Sequence, residues 1–161
     1  MKIYVTGGAG AGKTTYAKYL SKKYKTPYLG LDSVKWIKKS DKAFTKSRTR
    51  EERVKILHKF LESKSKWICD GVYNQDWVNE VLKNADLVLI LHAPIWLRHY
   101  RCVKRALFKE DRKKLSLGAL WKLLSWSCKY DKKYLPELKR KLDDFGVKYI
   151  TIKSKDVDFV A

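Results

Sequence analysis

The chain has 161 residues, 45% of them hydrophobic and 13% aromatic, which suits one domain with a sizeable buried core and excludes a disordered chain. No stretch approaches the roughly 20 uninterrupted apolar residues that a membrane helix needs. Lys and Arg number 37 against 17 Asp and Glu, a formal net charge of +20, so the surface attracts polyanions or phosphorylated small molecules, unless the lysines merely decorate a solvated exterior.

Residues 3–5 make a short apolar strand, the glycine-rich segment Gly7–Gly12 follows at once, and a helix is predicted from Lys13 to about Tyr24. Residues 26–31 read as a second strand bounded by Gly30, and the basic stretch from Asp32 to Ser47, with Trp36 and Phe44, as a short helix and a mobile connection. Arg50–Ser63 is predicted helical, with Val54, Leu57 and Leu61 on its apolar face, before a short buried strand Trp67-Ile68-Cys69 that ends at Asp70-Gly71. Another helix is predicted over Asp76–Lys83. Leu87–Leu91, the most apolar run, is too short for a globular helix and reads as a central strand buried on both faces. A helical pattern runs from Ile95 to about Phe108 and is broken by the charged cluster 109–114. It resumes from Leu117 to Phe145, with Pro136 either kinking it or starting its second half. Gly146 suits a C-cap, and Val147–Ile152 alternates as a last strand. Strands separated by helices throughout predict an α/β fold: a parallel sheet of about five strands covered on both faces.

Cys69, Cys102 and Cys128 lie far apart with no Cys-x-x-Cys pair, which argues against a disulfide framework or a structural zinc site. The apolar segment at the N-terminus is far shorter than a signal-peptide core. Together these features predict a cytoplasmic protein.

Gly7-Gly8-Ala9-Gly10-Ala11-Gly12-Lys13-Thr14 matches Gly-x-x-x-x-Gly-Lys-[Ser/Thr], and it lies between the first strand and the first helix, where the mechanism requires it. Its small residues let the N–H groups of residues 8–15, from Gly8, Ala9, Gly10, Ala11 and Gly12 through Lys13, Thr14 and Thr15, turn inward around an anion, and the positive end of the helix dipole points to the same place. Lys13 reaches the β- and γ-phosphates of ATP, and the Thr14 hydroxyl ligates the Mg²⁺ that bridges them. A dinucleotide site is a poor alternative, because the spacing is not Gly-x-Gly-x-x-Gly and the Lys-Thr pair would have no role on a pyrophosphate.

Four motifs in order carry a wider resemblance: the loop at 7–15, Leu31-Asp32 with Trp36, Trp67-Ile-Cys-Asp-Gly-Val-Tyr73, and Pro94-Ile-Trp-Leu-Arg-His-Tyr-Arg101. Nearly end to end the chain resembles the adenylate kinase/nucleotide kinase group of P-loop NTPases, and within it the family of DNA topology modulation proteins (FlaR-related). The resemblance implies a three-layer fold, a five-stranded parallel sheet in the order 2-3-1-4-5, and a helical lid between the last two strands at about residues 98–128, all within one domain spanning residues 1–161. It also implies that Asp70, where that group has an Asp-Gly, helps hold Mg²⁺; the alternative is a strand-end residue capping the next turn. Asp32 corresponds to a residue that faces the phosphate acceptor in related small-molecule kinases, or else serves as the N-cap of a helix starting at Ser33.

Arg98, Arg101 and Arg105 fall at i, i+3 and i+7 and so share a helix face just beyond the most buried strand, either as a cationic stripe for a developing phosphoryl charge or as a solvated basic face. By the resemblance, Arg101 matches the arginine that stacks on adenine and Arg105 the one that contacts phosphate. Arg48, Arg50 and Arg53, with Trp36 and Phe44, suit the acceptor side, where an aromatic stacks a ring and arginines hold a phosphate. Trp121, Leu124 and Cys128 read as core or lid packing. The chain departs from the group at two places. His92 stands where relatives often carry an acidic residue, removing a metal carboxylate or changing a buried partner. Val72-Tyr73 replaces the Pro-Arg of adenylate kinases proper, which argues against adenylate kinase activity itself.

Two functions follow: an ATP- and Mg²⁺-dependent kinase acting on a small nucleotide-like or hydroxylated acceptor, and a nucleotide-controlled protein whose basic surface attaches to DNA. The second would bind nucleic acid without sequence preference and with strong salt dependence, because no recognised DNA-binding module is present. A bare NTPase would need a residue to position the attacking water, and none is identifiable.

Overall fold

Alternation along the first strand decides the layering. In the computed structural model, which describes residues 1–37, 46–108 and 117–154, β1 (Lys2–Gly7) sends Ile3 and Val5 to one face and Tyr4 to the other, and all three are buried. The strand lies at the centre of a five-stranded, all-parallel sheet with β2 (Tyr28–Gly30), β3 (Trp67–Asp70), β4 (Leu87–His92) and β5 (Tyr149–Lys153), in the order β2-β3-β1-β4-β5. This is the sheet that the resemblance implied. α1 (Lys13–Lys23) packs Ala17 and Leu20 on Ile3, Val5, Ile68, Leu89 and Leu91. The opposite face carries α3 (Arg50–Glu62), α4 (Asn79–Asn84) and α7 (Leu135–Asp144), whose Leu57, Leu61, Val81, Leu82, Leu138 and Leu142 cover Tyr4, Cys69, Val88 and Ile90. Two covered faces explain why β3 and β4 read as nearly continuous apolar runs.

Parallel strands place all their C-terminal ends along one edge. Register sets Val5 beside Asp70 and Gly7 beside Leu91, so the loop after β1 stands between the ends of β3 and β4. The strand order reverses about β1, and crevices of this kind are where open α/β sheets bind ligands.

Several elements differ from expectation. Val54 is exposed, in an open groove with Arg50, Glu51, Lys55 and His58, so the buried row of α3 is Leu57 and Leu61 alone. The segment predicted as one helix over Asp76–Lys83 is a 3₁₀ turn, Asp76–Val78, followed by α4. The long helical region is α6 (Leu117–Lys129), a π-helical segment Tyr130–Tyr134, and α7, with Pro136 in the first turn of α7. The ring removes an N–H where an α-helix needs one, and the wider turn closes instead with Leu135 N–H on the Tyr130 carbonyl. Trp121 is 73% exposed and Cys128 is exposed, so they do not pack as expected. The charged cluster 109–114 and Phe44 lie outside the described residues.

Arg48 takes a structural post in place of the expected phosphate contact. Its Nη1 donates to the carbonyls of Ser33, Val34 and Trp36 at 2.8, 3.1 and 3.0 Å, closing the C-terminal end of α2 (Leu31–Lys35). Thr49 and Glu52 form a capping box for α3, with Glu52 N–H on Thr49 Oγ1 and Thr49 N–H on Glu52 Oε2. Among the described residues no helix is long and apolar enough to cross a membrane.

His58 clasps α3 to α4: one ring nitrogen meets Glu80 at 2.9 Å and the other meets Glu62 at 3.0 Å. The Glu80 hydrogen bond and both carboxylates raise its pKa above the ordinary value. The clasp therefore stabilises fully below the unfolded-state pKa of about 6.5 and is lost as pH rises through the raised folded value. Chemical denaturation from pH 6 to 9 is expected to show a fall in stability that His58→Gln removes.

Candidate active site

The loop after β1 is shaped by two residues that only glycine suits. Gly10 and Gly12 adopt φ of +80° and +93°, which turn the chain back on itself and deliver it to α1. Gly12 is the N-cap, no side chain caps the helix, and its first turn holds no carboxylate. The free N–H groups and the positive dipole end therefore suit an anion. The side chains of Ala9 and Ala11 are buried.

Lys13 Nζ donates to the Gly8 carbonyl at 3.0 Å across the loop. Burial lowers its pKa to about 8, while Asp70 and Asp32 pull it upward and Arg105 pushes it down. Arg105, exposed on α5 (Ile95–Phe108), is thus a charge neighbour of Lys13. Thr14 Oγ1 donates to Asp70 Oδ2 at 2.7 Å, and Tyr28 OH donates to Asp70 Oδ1 at 2.5 Å. Burial raises the Asp70 pKa, and the bonds from Tyr28 and Thr14 and the charge of Lys13 oppose that rise. The Thr14–Asp70 distance puts two hard oxygens within one cation shell, a donor set that fits Mg²⁺, which takes few protein ligands and completes its octahedron with water and phosphate.

Asp32 lies within the first turn of α2, whose N-cap is Gly30, so it is not the cap of a helix starting at Ser33. Its Oδ1 accepts from Tyr73 OH at 2.6 Å, and its charge is felt at both Lys13 and Asp70. Beside it, the Lys35 ammonium stands 5.0 Å from the Trp36 ring centre and 4.7 Å from that of Tyr73. Burial and Arg53 lower the Lys35 pKa, and Asp32 raises it. Arg53 lies over the Trp77 ring at 5.7 Å and donates to the Arg48 carbonyl. Of the three arginines expected on this side, Arg48 is occupied by α2 and Arg50 is exposed in the outer groove, leaving Arg53 near Lys35.

The arginine row on α5 divides. Arg101 Nη1 donates to Ser154 Oγ at 2.9 Å and to the Gly10 carbonyl at 3.3 Å, tying the loop to the turn after β5. Arg98 is 1% exposed and ion-paired with Asp131, so it belongs neither to a solvated face nor to a ligand-facing stripe. The first turn of α5 backs directly onto the loop, which buries its face there. The His92 side chain is exposed and its carbonyl accepts from Ser154 N–H, so it is no buried partner.

Tyr28, Tyr73 and Lys35 escaped sequence reasoning. The two hydroxyls lie far along the chain from the carboxylates they meet, and a Tyr in or after a short strand ordinarily signals packing. The one signal was placement, since Tyr28 precedes Gly30 at a strand end and Tyr73 follows Asp70-Gly71.

No family model matches the chain. It is 31% identical over 133 residues to the uncharacterized protein YqaC of Bacillus subtilis (strain 168), across 80% of this chain and 72% of that protein, and it belongs to the same family. Its fold is shared with shikimate kinase from Bacteroides thetaiotaomicron (TM-score 0.63, 19% identity, 98% of this chain and 89% of that one). It is shared also with shikimate kinase from Acinetobacter baumannii in complex with shikimate (0.59, 22%, 96% and 87%). A third match is deoxyadenosine kinase from M. mycoides with bound dATP (0.56, 17%, 96% and 92%). The architecture is that of P-loop kinases.

Lys13 is expected to react with an acylating reagent with a midpoint near pH 8, well below the ordinary lysine value of about 10.4. Asp70→Asn removes a charge that favours the ammonium and so moves the midpoint lower still. Peptide mapping of labelled Lys13 across pH checks both.

Proposed function

We propose that this YqaC-family protein is an ATP- and Mg²⁺-dependent kinase that transfers the γ-phosphoryl group to a hydroxyl of a small, nucleotide-like or otherwise hydroxylated acceptor. The observation that carries the reading is the direct Thr14–Asp70 contact beside Lys13, at the mouth of an uncapped helix and within electrostatic reach of Asp32. The loop amides of residues 8–15 and Lys13 would hold the β- and γ-phosphates, and Thr14 and Asp70 would hold the metal. Bound Mg²⁺ neutralises phosphate charge and orients the chain of phosphates.

The residues on the other side act on the acceptor. Tyr73 occupies Oδ1 of Asp32, leaving Oδ2 to accept the acceptor's hydroxyl proton and aim its oxygen at the phosphorus. Lys35 and Arg53 repel each other, the first beside the Trp36 and Tyr73 rings and the second over Trp77. A carboxylate or phosphate on the acceptor would relieve that repulsion, so we assign the acceptor an anionic group. Arg105 would stabilise charge on the transferred oxygens, Arg101 would lie on the adenine side, and α5 with α6 would form the lid over residues 98–128. Such catalysis is positioning plus electrostatics. We place the enzyme in the reducing cytoplasm, a reading supported by three cysteines that are all free.

The +20 charge favours one further reading, a nucleotide-controlled attachment to DNA. A panel of nucleosides, monophosphates, sugars and hydroxy acids, scored by coupled ADP release, separates the two. ADP release is expected with one class of small acceptor, to be lost in Lys13→Ala, and to fall about 10²- to 10⁴-fold in kcat in Asp32→Asn. ADP release that responds to DNA and to no small acceptor overturns the kinase reading.

A further inference from the structure

The pair of buried Arg98 with half-buried Asp131 has no place in the chemistry proposed above, yet Arg98 lies directly against the phosphate loop. A Cβ on Gly8 would lie 1.7 Å from Arg98 Nη1 and 2.8 Å from its Cζ, and a Cβ on Gly10 would lie 2.4 Å from the Arg98 carbonyl oxygen. The guanidinium and its own backbone therefore crowd the loop at two points. Arg98 is 1% exposed, its Nη2 donates to Asp131, and its Nε and Nη1 have no hydrogen-bond partner among the described residues.

Asp131 reaches this place because of the π-helical segment Tyr130–Tyr134, whose wider turn adds a residue between α6 and α7. The same turn buries Tyr130 beside Thr6 and Gly7, where burial pushes its pKa up to about 12. A charged side chain is seldom kept dry without return, since the desolvation cost of such a pair commonly matches or exceeds its attraction. The guanidinium brings a shape and a charge against the loop that an apolar residue would not.

We infer that Arg98 is a positioning residue for the phosphate loop: wedged against Gly8 and Gly10 and held there by Asp131 of the π-turn, it sets the loop's curvature for the nucleotide tail. The inference rests on the kinase reading only in that the loop binds ATP. Gly8 does not need a left-handed backbone, so the guanidinium is what bars a larger residue there. Arg98→Met keeps the aliphatic stem and vacates the space at Nη1.

Calorimetric titration with ATP and Mg²⁺ tests this on wild type, Gly8→Ala, Arg98→Met and the double variant, with thermal melts run beside it. Gly8→Ala and Arg98→Met are each expected to weaken ATP binding about tenfold or more, and the double variant to bind about tenfold tighter than Gly8→Ala, a coupling that lies within the range for residues in contact. General destabilisation would make the double variant worse than either single one. A double variant no tighter than Gly8→Ala, or an Arg98→Met affinity within about twofold of wild type, overturns the inference and leaves the kinase reading standing. Should Arg98→Met fail to fold, Asp131→Asn, which keeps an acceptor for Nη2, is expected to weaken ATP binding without lowering the melting temperature comparably, and an unchanged affinity overturns the inference. A wild-type protein that binds no ATP overturns the kinase reading itself.

Discussion

The contact between Thr14 and Asp70 is the point on which the site turns. It joins the first turn of α1 to the last residue of β3, two elements 56 positions apart in sequence, and it exists because β1 and β3 pair in a register that sets Val5 against Asp70. Shifting that pairing by one residue would send the carboxylate to the other face of the sheet. Tyr28, from the next strand outward, holds the second oxygen, so three neighbouring chain segments converge on one buried carboxylate. Burial alone would favour its neutral form; two donated hydrogen bonds and the Lys13 ammonium act to keep it ionised.

The electrostatics of the loop follow from the same crowding. Burial lowers Lys13 toward neutrality while two carboxylates restore its charge, which keeps an ammonium at the loop mouth near neutral pH without saturating it by a direct ion pair. Arg105 adds a second positive charge that Lys13 feels as repulsion, and a phosphate chain between them would relieve it. The acceptor side repeats this arrangement on a smaller scale, with Lys35 and Arg53 set against Asp32. In both places like charges are held close together, at a cost in stability that binding an anion would remove.

Around this centre, three arginines make contacts within the protein. Arg48 gathers three carbonyls at the end of α2, Arg101 links the loop to the turn after β5, and Arg98 lies against the loop. A guanidinium suits the posts of Arg48 and Arg101 because it carries several donors that can meet carbonyls. A sequence reading that assigns arginines to phosphates by spacing alone misses this competition for donors within the protein.

The sequence by itself determined the sheet and the phosphate loop. Apolar runs such as Leu87–Leu91, glycines at Gly10 and Gly12, and the Lys13-Thr14 pair express local rules: strand burial, left-handed turns and the free amides of a helix start are set by residues adjacent in the chain. Only the tertiary structure decided which side chains serve the site. Tyr28 and Tyr73 became partners of carboxylates, Val54 and Trp121 were left in solvent, and Arg98 turned inward to Asp131, because each outcome depends on what another segment places opposite it. Spacing specifies which residues share a face of one helix, but whether that face meets a ligand, solvent or a counter-ion is fixed by register and packing between elements far apart along the chain.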